Sequence, residues 1–157
     1  MKSSFDTTLK QGFIFALLAT LALAILFFAY IFNGSSLDYM DFAGWTYFAT
    51  SCLTHAWLFI FIPFFALFLP MEMMGLKRRY CNAVLTLVYS FLFILAVTNS
   101  YVFNIYHFHI NGLILKFLTS PGASEIFVFS TAMKLKAATI AIGLVGLCIS
   151  LCWLSCF

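Results

Sequence analysis

The sequence predicts an all-α integral membrane protein: a bundle of four spans with an interfacial amphipathic helix between the third and fourth. Two observations indicate this fold class. Hydrophobic residues make up 64% of the 157 residues and charged residues 8%, against about a quarter charged in an ordinary soluble domain. Polar segments also separate four apolar stretches, each close to the ~20 residues that a helix needs to cross the hydrocarbon core. We therefore interpret residues 1–157 as a single transmembrane domain.

The first predicted span covers residues 12–32, which contain no charged side chain. It is longer than the apolar core of a signal peptide and lacks a clear small-residue cleavage site. We interpret it as a retained span. The Asn33-Gly34-Ser35-Ser36 stretch is expected to end it.

The second predicted span covers residues 46–69 and contains no Asp, Glu, Lys or Arg. Pro63 lacks a backbone N–H and is expected to kink this helix. Pro70 and the residues that follow it are expected to end the span. The third span, residues 80–103, begins directly after the basic cluster Lys77–Arg79. Because the connection is short, the second and third spans should form an antiparallel hairpin.

Residues 104–131 are too polar for a clean span, yet they carry apolar side chains at helical spacing, namely Ile110, Leu113, Ile114, Phe117 and Leu118. This pattern predicts a short amphipathic helix lying in the interface. The Ser120-Pro121-Gly122 turn should end it. The apolar patch at residues 126–129 leaves open whether the segment re-enters the lipid.

The last predicted span covers residues 137–157. Its small residues Thr139, Gly143, Gly146 and Ser150 are spaced 4, 3 and 4 apart and therefore share one helix face. Small residues in this pattern let helix backbones approach closely. They predict a packing seam against another helix.

The basic residues predict the orientation in the membrane. Five lie on the side of the N-terminus and three on the opposite side; in chain order the two groups are Lys2, Lys10, Lys77, Arg78 and Arg79, and then Lys116, Lys134 and Lys136. The positive-inside rule then places the N-terminus in the cytoplasm. The net charge of +3 is too small and too scattered to indicate binding of nucleic acid.

Four polar residues between the third and fourth spans are candidate ligands of lipid head-group phosphates: His107, His109, Asn111 and Lys116. A metal site is not predicted there, because the two histidines are two residues apart whereas helical metal sites use i and i+4 spacing. The last span contains three cysteines at intervals of four residues, which are interpreted as small packing residues: Cys148, Cys152 and Cys156. We expect no metal and no other cofactor.

His55 lies within the second predicted span and permits two interpretations. An ionisable group in a span is costly unless it is paired, which makes His55 a candidate functional residue. It could equally be a neutral imidazole hydrogen-bonded to a neighbouring helix. No series of buried acids or lysines accompanies it, so a proton relay is not indicated. A small transporter or redox subunit using His55 and His109 remains an alternative function.

Catalysis is not predicted. No Ser-His-Asp arrangement, phosphate-binding glycine loop or pair of catalytic carboxylates can be placed at a membrane surface. The chain contains only five acidic residues, and they are scattered: Asp6, Asp38, Asp41, Glu72 and Glu125.

One run of sequence, Val102–Gly112, reads VFNIYHFHING. It resembles the V-F-x-x-Y-R-F-H-I-N-G segment of YejM/PbgA-type inner-membrane sulfatase-like proteins. The residues Pro121–Phe127, the Thr54–Trp57 stretch and the basic turn before the third span are similar as well. The order and spacing of the spans also match, so the resemblance covers nearly the whole chain. Two positions depart from it: His107 stands where the family usually has arginine, and Asn99 where an acidic residue is common.

The resemblance implies a membrane domain of five spans, followed in that family by a periplasmic domain of alkaline-phosphatase-superfamily fold. Family members control lipopolysaccharide synthesis and outer-membrane lipid homeostasis through a membrane partner, and they bind cardiolipin or lipid A. The chain would correspond to the first four spans, in the inner membrane of a Gram-negative bacterium, and would act without catalysis by binding lipid and a partner helix. The alternative is a truncated anchor of a periplasmic sulfatase, phosphohydrolase or lipid head-group transferase.

Overall fold

The computed structural model describes residues 2–29, 40–106, 109–112, 116, 119–120 and 130–156. All regular structure within these residues is helical, in the order α1 (Lys2–Ala29), α2 (Phe42–Pro63), a π-helical segment (Phe64–Phe68), α3 (Leu69–Met73), α4 (Arg78–Tyr106) and α5 (Thr131–Leu154). Four helical stretches in this part of the chain are long and apolar enough to cross a membrane: Asp6–Ala29, Phe42–Met73, Arg78–Asn104 and Thr131–Leu154. The predicted helical class and the four candidate spans are confirmed.

The four long helical stretches alternate in direction. At one end of the bundle, Gln11 near the start of α1 donates from Nε2 to the carbonyl oxygen of Cys156, just after α5, at 3.3 Å. At the other end, Phe28 near the end of α1 stacks on Trp45 at the start of α2, with ring centroids 6.0 Å apart. We call these the N-terminal end and the distal end of the bundle.

The core lies between α1, α2, the π-helical segment and α4. Helix α4 contributes Cys81, Leu85, Tyr89 and Phe93, four fully buried side chains at intervals of one helical turn. Helix α1 contributes the fully buried Ala16 and Ala19, whose small side chains allow neighbouring helices to approach. Helix α5 lies at the periphery of the bundle. Of the most apolar part of this helix, 6% of the residues are buried, against 28–33% in the other three stretches.

The helix becomes irregular at Pro63, where a kink is predicted: a π-helical segment follows the proline. Proline has no N–H to donate to the preceding turn, and the helix widens after it, so that the N–H of Leu69 bonds to the carbonyl of Phe64. The hydroxyl of the buried Tyr89 donates to the carbonyl oxygen of Ile60 at 3.2 Å, one turn before the proline. A side chain of α4 thus binds the backbone at the irregular part of α2.

The second span ends within the segment predicted to end it, because α3 stops at Met73. Pro70 itself does not end the span: it is the second residue of α3, which follows the π-helical segment without a break. The turn after α3 contains Gly75, whose φ of 73° is readily adopted only by glycine.

The helices also extend beyond the predicted spans, because the sequence pattern marks only the apolar part of each helix. Helix α1 begins at Lys2 rather than at residue 12. Helix α5 begins at Thr131 rather than at residue 137, because the Ser130 side chain caps it by accepting from the Met133 N–H at 3.2 Å. Lys134 and Lys136 therefore lie inside the helix and not before it.

The predicted interfacial helix falls mostly outside the described residues. Residues 104–106 belong to α4. Gly112 and Lys116 are helical, and Thr119 and Ser120 lie in a turn and a bend. The interfacial placement of this segment stays a prediction.

Candidate functional site

A polar contact at the distal end joins the chain after α4 to the last turns of α4 itself. Asn99 accepts from the backbone N–H of Ile110 through Oδ1 at 2.8 Å. Its Nδ2 lies 3.1 Å from Nδ1 of His109. The His109 ring also stacks on Phe103, with centroids 4.7 Å apart. One amide side chain and one ring therefore hold residues 109–110 against α4.

This geometry fixes the proton position on His109. A backbone N–H can only donate, so the Asn99 oxygen must face Ile110 and its NH₂ group must face the imidazole. Nδ1 of His109 then accepts, and a neutral ring carries its proton on Nε2. The His109 side chain is exposed.

The predicted head-group ligands are only partly placed. His109, Asn111 and Lys116 are all exposed, as binding to a lipid head group requires. His107 lies outside the described residues. From the sequence alone, Asn99 could only be noted as a departure from a family pattern; the structure gives it the positioning role just described. An Asn within an otherwise apolar run was the signal that could have identified it.

His55 is exposed on α2. It hydrogen-bonds to its own helix and not, as one of the two interpretations of the sequence had it, to a neighbouring helix. Its Nδ1 lies 2.8 Å from the carbonyl oxygen of Ser51. A carbonyl only accepts, so Nδ1 carries the proton and Nε2 is left as an acceptor. Among the described residues, no hydrogen bond is made to Nε2.

Three exposed threonines extend this polar surface along α2. Thr46, Thr50 and Thr54 follow one another at intervals of four residues, and each hydroxyl donates to the carbonyl one turn earlier, at 2.7–2.9 Å. We call the set Thr46, Thr50, Ser51, Thr54 and His55 the polar stripe. The three threonine hydroxyls donate within the helix, whereas Nε2 of His55 is an acceptor that no described residue uses.

A second polar contact lies at the N-terminal end. Arg78 at the start of α4 donates from Nη2 to the sulfur of Cys156 at 2.7 Å, while the carbonyl of Cys156 accepts from Gln11. The turn after α5 is thereby attached to both α1 and α4. The packing role predicted for Cys148 agrees with its complete burial, whereas Cys156 makes polar contacts instead.

The predicted packing seam makes no contact between helices within the described chain. Thr139, Gly143, Gly146 and Ser150 are all exposed. A Cβ added at Gly143 or Gly146 would meet no described atom within 4 Å. The reason is the peripheral position of α5, which turns this face outward. Contact of the seam with another molecule stays a prediction.

The described residues contain no group of three or more His, Cys, Asp or Glu side chains that could hold a metal ion. The arrangement combines four apolar helices with an outward polar stripe and a histidine held at the distal end. The helices are those of a multi-pass membrane protein.

The comparisons with known proteins identify the family of this membrane protein. The chain belongs to DUF3413, described as a domain of unknown function, whose family model matches residues 1–156. No curated protein and no solved structure matches the chain.

Proposed function

We propose that this chain is a non-catalytic membrane module that binds a partner helix within the bilayer and lipid head groups at its distal end. The observation that carries the proposal is the acceptor Nε2 of His55 on the outward face of α2. His55 lies 13 residues after the start of α2 at Phe42, or about 20 Å along the helix axis. That depth falls within a hydrocarbon core about 30 Å thick. Lipid chains offer no hydrogen-bond donor there, whereas a partner helix can.

Site-specific photocrosslinking in cells tests the partner helix. A benzophenone amino acid at Thr54, on the polar stripe, should give a discrete protein adduct that the His55→Leu substitution abolishes. The same probe at Leu21, an exposed apolar position of α1, serves as the control and should give lipid adducts. The absence of a protein adduct from Thr54, or an adduct unaffected by His55→Leu, would refute the partner helix.

Lipid binding at the distal end is supported by the exposure of His109 and Lys116, an imidazole and a cation that suit a head-group phosphate. The two groups would supply one hydrogen-bond donor and one positive charge to a head-group phosphate, with Asn111 and His107 as further candidates. The double substitution His109→Ala with Lys116→Ala should weaken the binding of phosphatidylglycerol in nanodiscs. Removing the exposed cations Lys77 and Arg79 at the other end should leave it unchanged. Equal affinity in both variants would contradict the head-group site.

The finer proposal follows from the resemblance of Val102–Gly112 and the neighbouring segments to YejM/PbgA-type proteins. On this basis the module acts in the inner membrane of a Gram-negative bacterium, in the control of lipopolysaccharide synthesis, with cardiolipin or lipid A as candidate lipids. The other candidate is the anchor of a periplasmic hydrolase or head-group transferase. Sequencing the DNA downstream distinguishes them, because a frame encoding a fifth span and a sulfatase-like domain would favour the anchor.

A further inference from the structure

A groove runs between α4 and α5 in the distal half of the bundle. Its volume is about 310 Å³, and its walls are almost entirely apolar. Residues one turn apart on each helix form these walls, among them Ile94 and Val97 of α4 and Ala137 and Ala141 of α5.

The length of the groove matches one leaflet of a bilayer. On α5 it extends from Met133, in the first turn, to Leu144. Eleven residues of helix rise about 16 Å, and half of the hydrocarbon core is about 15 Å thick. The groove would thus reach from the distal interface to the middle of the membrane.

The lining and the length of the groove suit a hydrocarbon chain. Such a chain is apolar, as the walls are, and it extends from the interface to the middle of the membrane, as the groove would.

Positive charge lies at the interfacial mouth of the groove. Lys134 and Lys136 both line it, and both are exposed. At about 100° per residue, the two lysines project to opposite sides of the apolar stripe of α5 and so flank the mouth. The positive end of the α5 macrodipole adds to this charge. An occupant with a negative head group is therefore favoured.

We propose that this groove binds one acyl chain of an anionic glycerophospholipid, with the lipid phosphate between Lys134 and Lys136. The inference rests on the lipid binding proposed above and adds to it a second contact, made by different residues. His109 and Lys116 would contact a head group alone. The groove between α4 and α5 would bind an acyl chain, and its two lysines would favour a lipid with a negative head group.

Native mass spectrometry of the full chain in detergent, titrated with phosphatidylglycerol, tests this proposal. Ala137→Phe fills the groove, and Ala138→Phe is its matched control, because Ala138 is exposed on the same helix and does not line the groove. We expect Ala137→Phe to weaken phosphatidylglycerol binding at least tenfold and Ala138→Phe to leave it unchanged. Lys134→Gln with Lys136→Gln should weaken it about 30-fold, at roughly a factor of five per lysine near a lipid surface. Phosphatidylcholine binding should not respond to the lysine change.

Equal binding by the Ala137→Phe and Ala138→Phe variants would overturn the groove. So would a change from dimer to monomer caused by Ala137→Phe, since the occupant would then be a second copy of the chain. The two lipid contacts can fail separately. Loss of binding in His109→Ala with Lys116→Ala but not in Ala137→Phe would leave the head-group site and refute the groove. The reverse result would leave the groove and refute the head-group site.

Discussion

At Gly12, α1 lies against the π-helical segment and leaves no room for a side chain. A Cβ at this position would overlap the ring of Phe68. That ring is fully buried and stacks on Phe64, with centroids 5.1 Å apart, so it cannot move away cheaply. We expect Gly12→Ala to destabilise the fold by about 1–3 kcal/mol through overpacking.

Thermal unfolding in detergent measures this effect, and Gly143→Ala is the matched control. A Cβ at Gly143 meets no described atom within 4 Å, and alanine is the better helix former. The control should be neutral or slightly stabilising. If both variants shifted the melting temperature equally, the close approach of α1 and the π-helical segment would be wrong.

Asn99 makes two hydrogen bonds that hold the chain after α4. Asn99→Leu keeps the branched shape of the side chain and removes both bonds, to Ile110 and to His109. A lost hydrogen bond costs about 1 kcal/mol, so hydrogen exchange at the Ile110 amide should quicken about fivefold. Thr98→Val is the control, because the Thr98 hydroxyl bonds only within its own helix, to Ile94. Unchanged exchange in Asn99→Leu would mean that another group protects that amide.

At the scale of elements, a side chain of α4 hydrogen-bonds to the backbone of α2 just before the irregular turn at Pro63. The Tyr89 hydroxyl donates to the Ile60 carbonyl, which also accepts from the Phe64 N–H. Tyr89→Phe should therefore cost about 0.6–1 kcal/mol, the usual worth of one hydrogen bond between membrane helices. Reversible unfolding in mixed micelles measures the loss, with Tyr80→Phe as a control at an exposed position. A loss above about 3 kcal/mol would mean that the hydroxyl holds the π-helical turn itself.

Element by element, the sequence predicted the four candidate spans and an irregularity in the second helix at Pro63, because both follow from rules that involve one helix alone. The helix ends were not predictable from the apolar pattern. The Ser130 cap and the turn at Gly75 are local backbone arrangements that hydropathy does not record. The roles of Asn99 and His55 needed the fold, because each depends on which atom faces which neighbour. The outward direction of the packing seam also needed the fold, because it follows from the peripheral position of α5.

At the scale of the whole molecule, the contacts of Cys156 with Gln11 and Arg78 bring the start of α1, the start of α4 and the end of α5 to one end of the bundle. The basic residues Lys10, Lys77, Arg78 and Arg79 thereby fall at that end. Lys134 and Lys136 fall at the distal end, within the first two turns of α5. This asymmetry predicts, by the positive-inside rule, that the N-terminal end faces the cytoplasm.

Reporter fusions in a Gram-negative bacterium test this orientation. A fluorescent protein that matures only in the cytoplasm should be bright when inserted after Leu76, in the turn between α3 and α4. Alkaline phosphatase, which is active only in the periplasm, should be active when inserted after Ser120. Each insertion should be silent with the other reporter, which provides the control within the experiment. Activity of the same reporter at both sites would mean that α4 does not cross the membrane. A periplasmic Leu76 with a cytoplasmic Ser120 would reverse the orientation and place the His109 site and the mouth of the α4–α5 groove in the cytoplasmic leaflet.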